Sequence, residues 1–162
     1  MDIVHTLERL RQAQAACEQA QRVLPLRRVL GALQHLARAH TRFLPVGRAV
    51  QREPDAAVSF HDYHLYIAPG LVRQRAPAAL ISHFVHIPWP MPDYWRVLPE
   101  TIRRAIHEGL LASNVVSFHT RRWSQSFLRS CADILGVEPD QVASEIRIGD
   151  HVTHVRARPI SV

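Results

Sequence analysis

The sequence predicts an α/β protein built on an open parallel sheet with flanking helices. Three short apolar runs carry the prediction: residues 56–60, residues 79–85 and residues 114–118. Each is partly β-branched or aromatic and bounded by turn or capping residues, which is the pattern of a buried strand. Helical patterns separate the runs, so the strands should lie parallel, joined by crossovers. Each run also leads into a histidine: His61 after the first, His86 after the second, His119 after the third. In an open parallel sheet, ligands sit outside the carboxyl ends of the strands. These three histidines and Asp62 all fall at that edge.

The elements follow in order. Residues 2–24 read as an amphipathic helix with Ile3, Leu7, Leu10, Cys17 and Leu24 on one face. Pro25 breaks it, and a second helix is expected from Leu26 to Leu44. A short helical turn carries Val46 to Gln51, and Glu53-Pro54-Asp55 turns into the first strand. Helix is expected over His64–Arg75, with Pro69 tolerated near its first turn. Pro88-Trp89-Pro90-Met91-Pro92 reads as a stiff loop, and Ile87, Trp89 and Met91 on it as an exposed apolar patch. Pro99-Glu100 opens a helix through Leu111, with Ile102, Ala105, Ile106 and Leu110 inward. Thr120 is placed to cap the next helix. Its buried face is Trp123, Phe127, Cys131, Ile134 and Leu135, and Gly136 is placed to end it. The tail alternates around Gly149-Asp150, a hairpin signal.

Composition narrows the class. A chain of 162 residues, 47% hydrophobic, suits one domain with a real core rather than a disordered segment. No apolar run approaches the roughly 20 residues that span a bilayer, and the amino terminus lacks the features of a signal peptide. Cys17 and Cys131 show no metal or redox spacing, so a reduced, cytoplasmic protein is expected. The net charge is +6 from 20 basic and 14 acidic residues, and no residue is a lysine. Arginine forks suit an anionic ligand, but a solvated surface is the simpler account of them. No basic run with interleaved aromatics points to nucleic acid.

Neither metal chemistry nor a protein nucleophile is well supported. His61-x-x-His64 and His83-x-x-His86 have the spacing of ligand pairs, but strand residues three apart point to opposite faces, so His83 and His86 should not share a metal. His61 ends a strand and His64 starts a helix, so the geometry of that pair stays open. No cysteine or second carboxylate supports either pair. There is no nucleophile elbow around Ser59 or Ser117 and no Gly-rich phosphate loop. Asp62 and His86 remain, on neighbouring strand ends. A carboxylate and an imidazole there suit a polyhydroxylated ligand, since Asp accepts from sugar hydroxyls and His can donate or accept. Asp62 as a helix cap and His86 as a hydrogen-bonded core residue explain the pattern as well.

At these residues the chain resembles a known family. His61-Asp62-Tyr63-His64-Leu65, then Phe84-Val85-His86-Ile87-Pro88-Trp89-Pro90, then Phe118-His119-Thr120 resemble glycosyltransferase family 20, the family of trehalose-6-phosphate synthases. Leu98-Pro99, Glu108-Gly109-Leu110-Leu111, Phe127-Leu128 with Cys131, and Pro159-Ile160-Ser161 fit the same pattern in the same order. The resemblance implies a GT-B enzyme of two Rossmann-like domains. Residues 54–162 would be a segment of its amino-terminal acceptor domain, residues 1–53 a helical region before it, and the donor-binding domain absent.

The implied reaction transfers glucose from UDP-glucose to glucose 6-phosphate with retention, giving trehalose 6-phosphate. It implies no metal and no cofactor beyond the donor substrate. By resemblance, Asp62 binds the acceptor sugar, His86 stands beside the reacting centre, and His61 belongs to the same substrate-binding edge. The family's Gly-rich loop and its upstream pocket Tyr and Trp have no counterpart here. The isolated chain is therefore expected to be inactive, and to need a donor domain or to self-associate. The alternative is a non-catalytic remnant that binds a sugar phosphate or a partner. No nucleic-acid or membrane partner is expected.

Overall fold

A computed structural model describes residues 46, 48–53 and 56–160. The helices expected over 2–24 and 26–44 lie outside the described residues. So do Pro54 and Asp55 of the expected turn.

All three expected strands form, within a residue or so of their expected limits. They are β1 (Ala57–His61), β2 (Leu80–Val85) and β3 (Val115–Phe118). The tail supplies β4 (Glu145–Ile148) and β5 (His151–Ala157), a hairpin turning at Gly149-Asp150 as the sequence indicated. The five strands make one sheet in the order β1-β2-β3-β5-β4. β1, β2, β3 and β5 are parallel, and β4 closes the edge antiparallel to β5.

The register sorts the side chains into two faces. Phe60 pairs with His83, His83 with Val116 and Val116 with Val155, so these four form one row across the sheet. All four are buried. One step along, His61 pairs with Phe84, Phe84 with Ser117 and Ser117 with Arg156. Side chains alternate along a strand, so this second row lies on the opposite face. There His61 is exposed, and Phe84 and Arg156 are half-buried.

Among the described residues after β1 lie four α-helices: α1 (Ala68–Arg75), α2 (Pro92–Trp95), α3 (Glu100–Leu111) and α4 (Arg121–Leu135). Their buried residues pack with Phe60, Ile81, Val85, Val116, Phe118 and Val155, so they cover the first face. Successive right-handed crossovers stepping one way along a sheet place their helices on one side. α4 is capped as expected. Thr120 Oγ1 accepts from Trp123 N–H at 3.2 Å, and Gly136 ends the helix with a left-handed φ of +69°. On α4, Phe127, Cys131 and Ile134 are buried, while Trp123 and Leu135 are only partly so. On α3, Ile102, Ile106 and Leu110 point inward as expected, and Ala105 is half-buried.

Two local expectations change. Helix does not run unbroken over 64–75: Tyr63–Leu65 is a single 3-10 turn, and α1 begins only at Ala68. Pro69 has no N–H to donate, and its ring would clash with the Leu65 carbonyl four residues back, so the helix restarts there. The apolar patch on the loop after β2 is also smaller than expected. Ile87 and Met91 are exposed, but Trp89 is 3% exposed and packs among Tyr66, Trp95, Phe118 and Phe127. Its Nε1–H donates to Ser130 Oγ at 2.9 Å. The loop's proline-rich composition suggested exposure; a partner 41 residues later in the chain decides otherwise.

Candidate active site

The carboxyl ends of β1, β2 and β3 bring His61, Asp62, His86 and His119 to one sheet edge. His61 and His86 meet directly. His61 Nδ1 and His86 Nε2 are 3.0 Å apart, with the two rings stacked at a centroid distance of 5.3 Å. One of these nitrogens must carry the hydrogen, and the serines beside His61 can serve either tautomer. Ser82 Oγ donates to Ser59 Oγ at 3.2 Å, and Ser59 Oγ lies 3.3 Å from His61 Nε2. His86 Nδ1, the ring nitrogen not facing His61, can donate to or accept from a ligand hydroxyl according to its tautomer. Phe84 lies beside His86 at 4.6 Å between ring centroids, and His119 flanks both, at 5.0 Å from Phe84 and 5.3 Å from His86.

Asp62 sits at the turn from β1 into the 3-10 helix. Its backbone has φ +67° and ψ 174°, a region that non-glycine residues rarely adopt. Its N–H donates to the Phe84 carbonyl at 2.8 Å, and its own carbonyl accepts from His83 Nε2 at 3.1 Å. Asp62 Oδ1 accepts from Tyr63 N–H at 3.0 Å, so Asp62 does cap the helical turn that follows. Among the described residues Oδ2 has no partner, so capping leaves half of the carboxylate for a ligand. Tyr66, buried behind this turn, has its phenol pushed up by burial and then by the Asp62 carboxylate. Tyr63 and His64 of the same motif are exposed and point away from the core.

His83 and His86 do face opposite ways, as their spacing requires. His83 belongs to the buried row, at 1% exposed. Burial lowers its pKa to about 4, so it is neutral near pH 7. Among the described residues no group of three or more His, Cys, Asp or Glu side chains gathers as a metal site would. Arg73 is not part of any anion site. Its guanidinium is tied to the carbonyls of Ala112, Pro77 and Ala79 and to Asn114 Oδ1.

The sequence reading overlooked what supports the edge from behind. His107 is fully buried on α3, and burial lowers its pKa to about 4. Its Nδ1–H donates to the Arg103 carbonyl at 2.7 Å, leaving Nε2 as an acceptor 3.0 Å from Ser130 Oγ, whose one hydrogen also faces the Phe127 carbonyl at 2.9 Å. Ser130 in turn accepts from Trp89, which pins the loop following His86. The alternation of β2 could have placed His83 inward, but its bond to Asp62 has no local signal. Nor does the Trp89–Ser130–His107 network, whose members lie on three separate elements.

The glycosyltransferase family 20 profile matches residues 46–162, which includes every described strand and the whole candidate edge. The chain belongs to glycosyltransferase family 20. Over 107 residues it is 41% identical to the validamine 7-phosphate valienyltransferase of Streptomyces hygroscopicus subsp. jinggangensis; the match covers 65% of this chain and 22% of that protein. It is 39% identical over 109 residues to the bifunctional trehalose-6-phosphate synthase/phosphatase of Thermoproteus tenax, covering 67% of this chain and 14% of the relative. This family 20 chain therefore spans less than a quarter of the length of either. Among solved structures, the alpha,alpha-trehalose-phosphate synthase of Burkholderia xenovorans in complex with glucose-6-phosphate superposes with a TM-score of 0.64 at 22% identity. That match covers 76% of this chain and 28% of the other. The likeness bears out the Rossmann-like α/β fold expected of a family 20 member.

Proposed function

We propose that this chain contributes the acceptor side of a retaining glycosyltransferase that makes trehalose 6-phosphate from UDP-glucose and glucose 6-phosphate. The observation that carries the reading is the edge itself. His86, oriented by His61, and Asp62, with one carboxylate oxygen unpaired among the described residues, stand on adjacent parallel strand ends of a family 20 fold. Asp62 would bind an acceptor hydroxyl, and His86 would present its imidazole beside the reacting centre. Their contribution is positional and electrostatic. No metal or cofactor is required, only the two sugar substrates. The chain would act in the cytoplasm and with a donor domain, because transfer needs both substrates held in one closed cleft.

The test supplies residues 1–162 with UDP-glucose and glucose 6-phosphate, with and without a separately expressed family 20 donor domain, and follows UDP release. Activity only with the donor domain is expected. Sustained transfer by the isolated chain would refute its partial character. Silence in both arms, with glucose 6-phosphate still bound, would leave a sugar-phosphate-binding remnant. In the active combination, Asp62→Ala should cost about 2–4 kcal/mol in transition-state stabilisation, as for a lost hydrogen bond to a charged group. An unchanged rate and acceptor affinity would reduce Asp62 to its capping role.

A second reading keeps the reaction class but changes the acceptor. The 41% identity to a valienyltransferase named for validamine 7-phosphate favours another phosphorylated ring polyol. Competition between glucose 6-phosphate and validamine 7-phosphate for the chain separates the two.

A further inference from the structure

We propose that His83 is a positioning residue: its Nε2–H holds the Asp62 carbonyl and so locks the strained main chain from which the Asp62 carboxylate is aimed. The lock is defined by the structure alone; only the claim that the carboxylate meets a sugar phosphate rests on the function proposed above.

Asp62, with φ +67° and ψ 174°, occupies backbone space that is almost the preserve of glycine. Such a conformation persists only where its surroundings over-determine it. Two bonds do so here. Phe84 O takes the Asp62 N–H at 2.8 Å, and His83 Nε2 reaches the Asp62 carbonyl at 3.1 Å. Both come from β2, the neighbouring strand, so Asp62 is gripped on either side of its Cα by one rigid element. If the Asp62 main chain relaxed to a negative φ, its Cβ would swing and the carboxylate with it.

His83 is suited to the task because it cannot move. It lies in the buried row between Phe60 and Val116, with the Tyr66 ring 5.6 Å away and the Phe60 ring 6.2 Å away. A carbonyl can only accept, so the hydrogen is on Nε2 and Nδ1 is bare. That Nδ1 is buried and has no partner among the described residues. A buried polar atom left unpaired is a standing cost. Phenylalanine would fill the same space without it. The bond to Asp62 is what the imidazole supplies and phenylalanine would not.

The experiment compares the chain of residues 1–162 with His83→Phe, His83→Gln, Asp62→Gly and the His83→Phe/Asp62→Gly pair. It reads the Asp62 and Tyr63 amide resonances, the urea midpoint and the affinity for glucose 6-phosphate. His83→Phe keeps the ring and removes the donor. It should shift both amides, lower the urea midpoint and weaken glucose 6-phosphate by about tenfold, the scale of one lost hydrogen bond. His83→Gln restores a donor and should recover much of each. In the Asp62→Gly background, where the backbone needs no restraint, His83→Phe should no longer lower the midpoint. Unmoved amides in His83→Phe, or an equal loss of midpoint in both backgrounds, would overturn the inference. Should His83→Phe fail to fold, His83→Gln decides: native amide positions support the lock and displaced ones refute it. A wild-type chain that ignores glucose 6-phosphate would count against the proposed function. The amide shifts and the midpoint coupling would still decide the role of His83.

Discussion

The two faces of this sheet treat the same residue type in opposite ways. On the helix-covered face, His83 stands in a row with Phe60, Val116 and Val155. With His107 behind it, it is dry, neutral and fixed in one tautomer. On the other face, His61 and His86 stand with Ser59, Ser82 and Phe84, bonded to one another yet reachable from water. Burial turns an imidazole into a rigid hydrogen-bonding strut; partial exposure leaves it free to meet a ligand. The motif histidines are on the second face, and the ones that hold the motif in place are on the first.

Acid should expose the difference most strongly. The unfolded chain protonates these imidazoles near the ordinary value of 6.5, whereas His83 and His107 in the folded chain protonate only near 4. Stability is therefore complete above about pH 6.5 and is lost as pH falls toward 4, because only the unfolded state binds the protons in that window. The loss is on the order of 3 kcal/mol for each histidine. Urea unfolding at pH 7 and pH 4 measures it, and His83→Phe with His107→Leu should flatten the slope. If the slope survives in that double variant, acid sensitivity belongs to the open face and the contrast breaks.

Next in size, Phe127→Ala should cost about 3–5 kcal/mol, since Phe127 is fully buried against Trp89 and Phe118. Phe84→Ala, on the half-buried row, should cost roughly half as much by the same urea measurement. Equal costs would mean the open face is as well packed as the covered one.

Gly109→Ala should cost about 1–3 kcal/mol by overpacking. An added Cβ would lie 2.5 Å from the Tyr66 carbonyl and 2.7 Å from Ile67 Cα. That would push α3 away from the segment following Asp62, so the Asp62 amide should shift even though Asp62 is untouched. The smallest effect is a local one. Thr120→Ala removes the α4 cap and should cost about 1 kcal/mol in the urea midpoint, with little change at His61 and His86.

The sequence made the strands legible because each is a short apolar run with its own boundaries. Thr120, Gly136 and Gly149-Asp150 were readable because caps and tight turns obey local rules. The break before α1 was written in Pro69, whose effect falls on Leu65, four residues earlier. Trp89 misled because its burial depends on Ser130 and His107, far away in the chain. At the edge, His61, Asp62 and His86 could be placed on neighbouring strand ends from the order of the runs. That His61 rather than Asp62 touches His86 depends on register, which no single run encodes.

The hairpin at the end of the sheet has a consequence for how quickly order spreads. β4 and β5 pair across a turn of two residues, Gly149 and Asp150, a closure that takes microseconds. Every other ladder among the described residues joins distant partners, such as Ala57 with Leu80, Ser82 with Val115 and Val115 with His154. Each must close a long loop before its first bond forms. The hairpin is thus the natural early template, onto which β3, then β2, then β1 can add. On that order β1, the strand leading into the candidate edge, is the last to dock and the first to leave. Amide hydrogens of β1 should exchange sooner than those of β5, so the strand bearing His61 would be the one that breathes.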